Sequence, residues 1–372
     1  MAEYAVQVLN DTGAPVALLD GVSLTTLRVE RKLNDVSVAQ FTLQADHPAA
    51  AHLGKHAWFE VWRYPVAGER QHEGTYMVVL LDRSVDDNGL EWLIVAGFSF
   101  EFLLLQRVVD PRNDPLMAGG WSTKYGPVDD LMAELVYEQA GRGASAHNGT
   151  PSQQVPYLEV APTASVGDPV PFRKAWDGLL PSLQELAAGD RMDFRIERGM
   201  GTGLVFYAER VGEDRSKTTN FPGGRFVLLT PELGTLARPR LVRDWRQEKT
   251  VVVLLGHGAG DAREFFGSMA ANAQETPYSV AVAVEDLRQA ESASEYIAQA
   301  QAALAKNAAH KEFSFEVAQG ATHYHELFEL GDFVTVAWGE YEQDMRVIGV
   351  EIEVREGQER ITPKVRERYG LN

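Results

Sequence analysis

The residues with the most chemical promise are the two histidines of His323-Tyr324-His325-Glu326. On a strand, positions i and i+2 point to the same face, and neutral imidazole is a common metal ligand. The run follows Gly320 in what reads as a connection, and no third ligand stands beside it. The pair therefore reads as histidines flanking a strand. Neither His72-Glu73 nor His325 with Glu329 completes the H-E-x-x-H arrangement of zinc hydrolases.

Gly256-His257-Gly258-Ala259-Gly260 follows a strand-like run and invites a phosphate-cradling reading. The dinucleotide fingerprint is G-x-G-x-x-G opening a helix, with an acid about twenty positions on. Here the third glycine comes one position early, and Asp261-Ala262-Arg263-Glu264 leads to Phe265-Phe266 rather than a long helix. A wide turn is the better reading. Gly54-Lys55-His56 lacks the upstream glycine and the hydroxyl residue of a P-loop, and Gly97-Phe98-Ser99-Phe100-Glu101 lacks the second glycine of a nucleophile elbow. Asp86-Asp87-Asn88-Gly89 offers oxygens to calcium, but the rest of a ligand loop is missing and a tight turn explains it. Trp58, Phe59, Trp62 and Tyr64, with Trp121, offer rings for sugar stacking. Alternation along one strand instead sends the first four to two faces, one in the core and one at a subunit contact. In so acidic a chain no carboxylate pair stands out for glycoside hydrolysis. No catalytic residue, cofactor or metal ligand is nominated.

The composition narrows the classes further. The 372 residues carry 35 Lys and Arg against 53 Asp and Glu, a net charge of −18. That balance argues against a surface that grips nucleic acid, since phosphate binding needs clustered cations. It leaves room for an acidic wall past which a polyanion slides. Cysteine is absent, which removes disulfides, thiolate metal sites and cysteine nucleophiles together. A 45% hydrophobic content with 24% charged residues is that of a globular chain long enough for two or three domains. No apolar run approaches the ~18 residues of a spanning helix, and the start, Met1 to Val8, does not read as an export signal.

The positioning elements follow from periodicity. Leu27, Val29 and Leu33 alternate with Arg28, Glu30 and Lys32, and Phe41, Leu43 and Ala45 with Gln40, Thr42 and Gln44, around a turn at Asn34-Asp35: a hairpin with one wet face. A second hairpin spans Tyr76–Val85 and Leu90–Phe98 across Asn88-Gly89. Its successive apolar residues (Val78 to Leu81, Trp92 to Val95) predict cover on both faces. The first ~110 residues thus read as a small curved sheet or barrel. Helices are predicted at Val128–Ala140 and Phe172–Ala188, the second kinked or divided at Pro181, with an exposed loop over Gly141–Val170 and strands at Met192–Glu197 and Leu204–Glu209. Sheet resumes with Val251–Leu255, followed by an Ala-rich helix over Glu285–Ala309 and strands at Phe313–Val317, Phe333–Trp338 and Met345–Arg355. The expected class is α+β, mainly β. The domain reading is 1–110 (N-terminal β domain), 111–220 (inserted α+β domain), 221–356 (second β domain with the helix at 285–309) and 357–372 (charged C-terminal tail).

The order of these signals resembles a known family. VQVLNDTGAPVALLDG and RKLNDVSVAQFTLQ resemble the start of the tail-tip hub proteins of long-tailed bacteriophages, relatives of the central hub of contractile baseplates. VVVLLGHGAGDARE matches that family's strand and glycine-rich turn followed by Arg, and ELGDFVTVAWGEYEQDMRVIGVEIEV its closing hairpin. The resemblance implies two tail-tube-like β-barrel domains with an inserted α+β region. It also implies a homotrimer whose pseudo-sixfold ring joins the hexameric tail tube to a threefold tip and lets DNA pass without binding. Implied neighbours are the tail tube and distal tail proteins, the tape measure protein and a tip fibre or spike. The implied place is the virion's tail tip, assembled in the host cytoplasm, with no enzyme activity. The alternatives are a tail-associated cell-wall hydrolase, although the sequence ends at Asn372 without the C-terminal enzyme extension that related hubs often carry, and a carbohydrate-binding tip module.

Overall fold

The structure is a computed structural model describing residues 3–10, 13–21, 24–65, 69–117, 119–147, 151–201, 203–221, 223–258, 260–287, 293–317, 324–355 and 358–368. The opening strands are β1 (Glu3–Leu9), β2 (Pro15–Leu19), β3 (Thr26–Lys32), β4 (Val38–Gln44), β5 (Trp58–Tyr64), β6 (Gln71–Val85) and β7 (Glu91–Phe98), with one short helical turn, α1 (Phe102–Leu105), after them. The first hairpin forms as its alternation predicts, with Val29 opposite Ala39 and Leu27 opposite Phe41. Asn34 turns it at φ 58°, a conformation that Asn tolerates better than most side chains.

The α+β region holds β8 (Ser122–Pro127), α2 (Val128–Gln139), β9 (Leu158–Val160), β10 (Pro169–Lys174), α3 (Leu179–Ala187), β11 (Phe194–Arg198) and β12 (Leu204–Ala208). Its core gathers Leu131, Leu135, Leu179, Leu183, Phe194 and Phe206. Three expectations are corrected here. Phe172 lies in β10, paired with Lys124 of β8, and not in a helix. Pro181 sits in the first turn of α3 and does not break it, because amides there have no intrahelical acceptor to lose. The stretch Gly141–Val170 is not all exposed loop: Val155 and Leu158 are buried, and β9 runs parallel to β12.

There follow α4 (Lys217–Asn220), β13 (Leu228–Leu229), β14 (Leu236–Asp244), β15 (Val251–Leu255), β16 (Phe265–Ala270), β17 (Val282–Asp286), α5 (Ala293–Lys306), β18 (His310–Val317), β19 (Phe333–Trp338), β20 (Tyr341–Arg355) and β21 (Gln358–Glu367). The helix expected over 285–309 is shorter, because the β-branched Val282 and Val284 extend a strand to Asp286 that pairs in parallel with β15. The expected tail from 357 is also overturned over β21. Ile361 and Val365 are buried on one face of that strand, and it pairs with β20 from Arg355 to Met345.

A 13-stranded sheet follows the order β14-β18-β21-β20-β3-β4-β7-β6-β5-β1-β2, with β19 on β20 and β13 on β19. The β3–β20 ladder, with Val29 opposite Ile352, joins strands from both ends of the chain in one sheet. Among the described residues this path does not close into a barrel. The molecule is mainly β with few helices. Two compact units are present, Met1–Pro239 with Ser314–Asn372, and Arg240–Phe313, so the division falls inside the 221–356 stretch. The second unit packs α5 on β15, with Val252, Leu254 and Ala300 at its core.

The second hairpin differs from its expectation. Val78 and Val95 are buried, but Leu80, Leu81, Val85 and Leu90 stand 40–63% exposed. The cover is lost on β6, whose residues from Leu80 to Val85 are all exposed, while Leu93 and Val95 of β7 remain buried.

Candidate functional site

A cleft of the first unit has a volume of about 850 Å³, with Arg31, Glu60, Trp62, Glu101, Arg195 and Asp332 among its lining residues. It is polar because strands of the main sheet meet β11 of the α+β region through charged side chains. At its floor lies Glu73, fully buried on β6. Glu73 accepts from His325 Nε2 at 2.9 Å, Tyr324 Oη at 3.2 Å and Arg31 Nη1 at 3.3 Å. Arg31 also donates to Tyr324 Oη at 2.7 Å, and His325 Nδ1 meets Glu329. Sequence periodicity alone does not reveal this cluster. Its one local signal is an acid lying between His72 and Gly74 in an otherwise strand-forming run.

The electrostatics follow from burial and pairing. Burial opposes ionisation of Glu73, yet His325, Arg31 and Arg63 outweigh it and hold the carboxyl below its ordinary range. Burial likewise works against a charged His325, but Glu329 and Glu73 prevail and raise its pKa. Burial holds the Tyr324 hydroxyl well above its usual value. Two further acids lining the cleft, Glu101 and Asp332, are pushed up by burial.

The groups at this cleft are engaged with one another. Glu101 accepts from the Ile196 amide at 2.7 Å, and Asp332 from the Glu213 and Glu329 amides at 2.7 and 2.9 Å. Arg198 pairs with Glu60, and Arg195 with Glu197 and Glu209. Chemically, the arrangement fastens the 324–332 segment and β11 to the sheet.

The residues singled out by sequence are dispersed. His323 lies outside the described residues, and His325 is occupied by two carboxylates. Among the described residues no group of three or more His, Asp or Glu side chains is placed to hold a metal. Gly256 and His257 start the turn from β15 to β16, where the Gly256 amide donates to Glu264 O at 2.8 Å. Gly258 has φ 96°, and a Cβ there would lie 2.3 Å from Ala262 O. Ala259 lies outside the described residues. Asp86 caps its own turn, accepting the Asn88 and Leu90 amides at 2.9 Å and Trp92 Nε1 at 3.1 Å. Ser99 Oγ accepts the Ser37 amide at 2.9 Å. The His56 amide donates to Val78 O at 3.1 Å, in the bend before β5. Phe59 is buried between Phe41 and Tyr76, Trp58 packs edge-on to Phe100, and Trp62 lies against His72. Trp121 sits beneath Arg173. By strand alternation Phe59 lies on the core face of β5, while Trp58, Trp62 and Tyr64 share the other face.

The fold is shared with solved phage tail proteins. Over 98% of both chains it matches the 43 kDa tail protein of prophage MuSo2 from Shewanella oneidensis, with a TM-score of 0.61 at 14% identity. A tail protein from Neisseria meningitidis MC58 matches with a TM-score of 0.58 at 13% identity, over 97% of this chain and 95% of that one. A chain of the Francisella PdpA–VgrG complex matches with a TM-score of 0.52 at 7% identity; the match covers 99% of this chain but 53% of that one. No curated protein matches the sequence. The sequence model of the Siphovirus ReqiPepy6 Gp37-like proteins matches residues 5–365, and the chain belongs to that family. No helix among the described residues is long and apolar enough to cross a membrane.

Proposed function

We propose that the chain is a non-catalytic hub of a phage tail tip. Three copies form a ring that joins the hexameric tail tube to the threefold tip and lets DNA pass through an acidic lumen. In this reading the β strands of 1–110 and of 221–356 supply two tube-like rim modules per copy, and the α+β region of 111–220 projects from the ring. The tube and distal tail proteins and the tape measure protein dock on one side and a fibre or spike on the other. The hub is assembled in the host cytoplasm and carried in the virion.

The observation that carries the reading is the outer half of the β6–β7 hairpin. Leu80, Leu81 and Val85 are exposed on the outer part of β6, which is paired on one edge to β7, and Leu90 is exposed in the turn between them. Apolar groups so arranged are stabilised by a neighbouring copy, and closed rings are how repeated copies satisfy such surfaces. Family membership and the tail proteins of like fold support the setting.

Mass photometry and negative-stain electron microscopy of the purified chain test it. The expected result is a three-copy ring with a central hole. A chain that remains monomeric at every concentration overturns the proposal.

A further inference from the structure

One buried cluster takes no part in the cleft or in the arm. It lies in the α+β region, where β8 meets α2. Lys124 Nζ stands 2.8 Å from Glu134 Oε1, 2.9 Å from Glu138 Oε1 and 3.5 Å from Asp114 Oδ2. The Lys124, Asp114 and Glu138 side chains are 3%, 0% and 5% exposed, whereas Glu134 is 45% exposed at the rim. One ammonium therefore serves two buried carboxylates and a third at the surface.

The two buried acids are not equivalent. Asp114 accepts from Ser122 Oγ and from the Leu116 amide, each at 2.7 Å, so both its oxygens are solvated by the protein. Glu138 spends Oε1 on Lys124, and among the described residues its buried Oε2 has no hydrogen-bond partner. An ionised Glu138 thus leaves a desolvated oxygen beside two other acids, and a proton on it relieves both penalties. The ammonium already fills the space that a cation would need.

We propose that the Lys124 cluster is a proton-operated latch: with a proton on Glu138, helix α2 stays closed on β8 and the Asp114 loop, and loss of that proton loosens the contact. Burial, reinforced by Asp114 and Glu134 and opposed by Lys124, pushes the Glu138 carboxyl up to about 7. The folded value lies above the ordinary 4.5, so the protonated form is favoured by folding. The latch is fully closed below about pH 4.5 and is released as pH rises through about 7.

The charged groups facing Glu138 are Lys124 from β8, Asp114 from the loop before it and Glu134 from α2 itself. Those on the other packed elements are engaged elsewhere. Glu159 of β9 pairs with Arg142, Lys174 of β10 with Glu185 of α3, and Arg173 lies over Trp121. Strand β12 carries no charged residue.

Infrared titration of the full chain with isotope-labelled glutamate, read together with amide hydrogen exchange, tests the latch. The expected result is a protonated glutamate carbonyl band that disappears as pH rises through about 7 and is missing in Glu138→Gln. Exchange in α2 and β8, corrected for intrinsic rates, should quicken in the wild type as pH climbs from about 4.5 to about 7, and stay flat in the variant. The gain should approach roughly tenfold per pH unit across that window. A wild type without such a band, or a Glu138→Gln chain with unchanged pH dependence, overturns the latch. Should that variant fail to fold, Asp114→Asn supplies the second arm: removing one neighbouring charge must move the wild-type band to lower pH, and an unmoved band overturns the latch equally.

Discussion

Glu73 and His325 are 252 residues apart in sequence, and their side chains meet at 2.9 Å inside the protein. The contact ties the segment ahead of β19 to β6, alongside Arg31 and Tyr324. Replacing Glu73 by Gln keeps the shape and removes the charge, leaving Arg31 and His325 without their shared counter-ion. The expected loss is about 3 kcal/mol, as when one partner of a buried pair is removed. Chemical denaturation of wild type and Glu73→Gln measures it, and equal midpoints would show that the cluster contributes nothing.

The same pair predicts a pH signature. The pKa of His325 is raised in the fold, so its contribution is fully present below the ordinary value near 6.5 and fades as pH rises through the folded value. The difference in melting temperature between wild type and His325→Gln should therefore be larger at pH 6 than at pH 9. Taking that difference cancels the contribution of Glu138, which both proteins share. A gap that does not change with pH contradicts a charged His325.

How much of this was legible in the sequence depends on the range of the interaction. The β3–β4 hairpin was readable because alternation and Asn34 both act locally. Asn34 shows where legibility ends: its side chain also donates to Asp193 at 2.8 Å and accepts from the Phe194 amide at 2.8 Å, and no spacing rule announces those partners. Phe172 and Leu183 share an apolar pattern, but one is in a strand and the other in a helix, and pairing with β8 decided which. The cleft was invisible for the same reason: Arg31, Glu73, Glu101 and Tyr324 come from four distant segments. The tail expectation failed because the charges of β21 hid the inward alternation of Ile361 and Val365.

Two glycines on the second hairpin should respond differently to alanine. A Cβ at Gly97 would stand 2.5 Å from the Phe59 ring and 3.0 Å from Tyr76 Cβ, in the middle of the sheet's aromatic core. Gly97→Ala should lose about 1–3 kcal/mol through overpacking. Gly89 has open space around it and a φ of 80°, so Gly89→Ala is limited to the strain of the turn and should lose less, on the order of 1 kcal/mol. Thermal denaturation of both variants checks the ranking, and the reverse order would mean that the core yields more easily than the turn.

Arginine pairs give the converse test, because burial rather than distance decides their worth. Arg346, 3% exposed, donates to Asp190 at 2.9 Å, to Asp193 and to the Gly331 carbonyl at 3.1 Å. Arg346→Met leaves the fully buried Asp193 with the Asn34 and Val211 donors but without its arginine counter-charge, and should destabilise by about 3–5 kcal/mol. Arg83 is paired with Glu91 at least as closely, but the two side chains are 66% and 48% exposed on the outer hairpin. There water and salt already screen the charges, so Arg83→Met should leave the unfolding midpoint unchanged within error. Urea titration of the two variants side by side distinguishes the cases; equal losses would mean that burial does not decide the worth of these pairs.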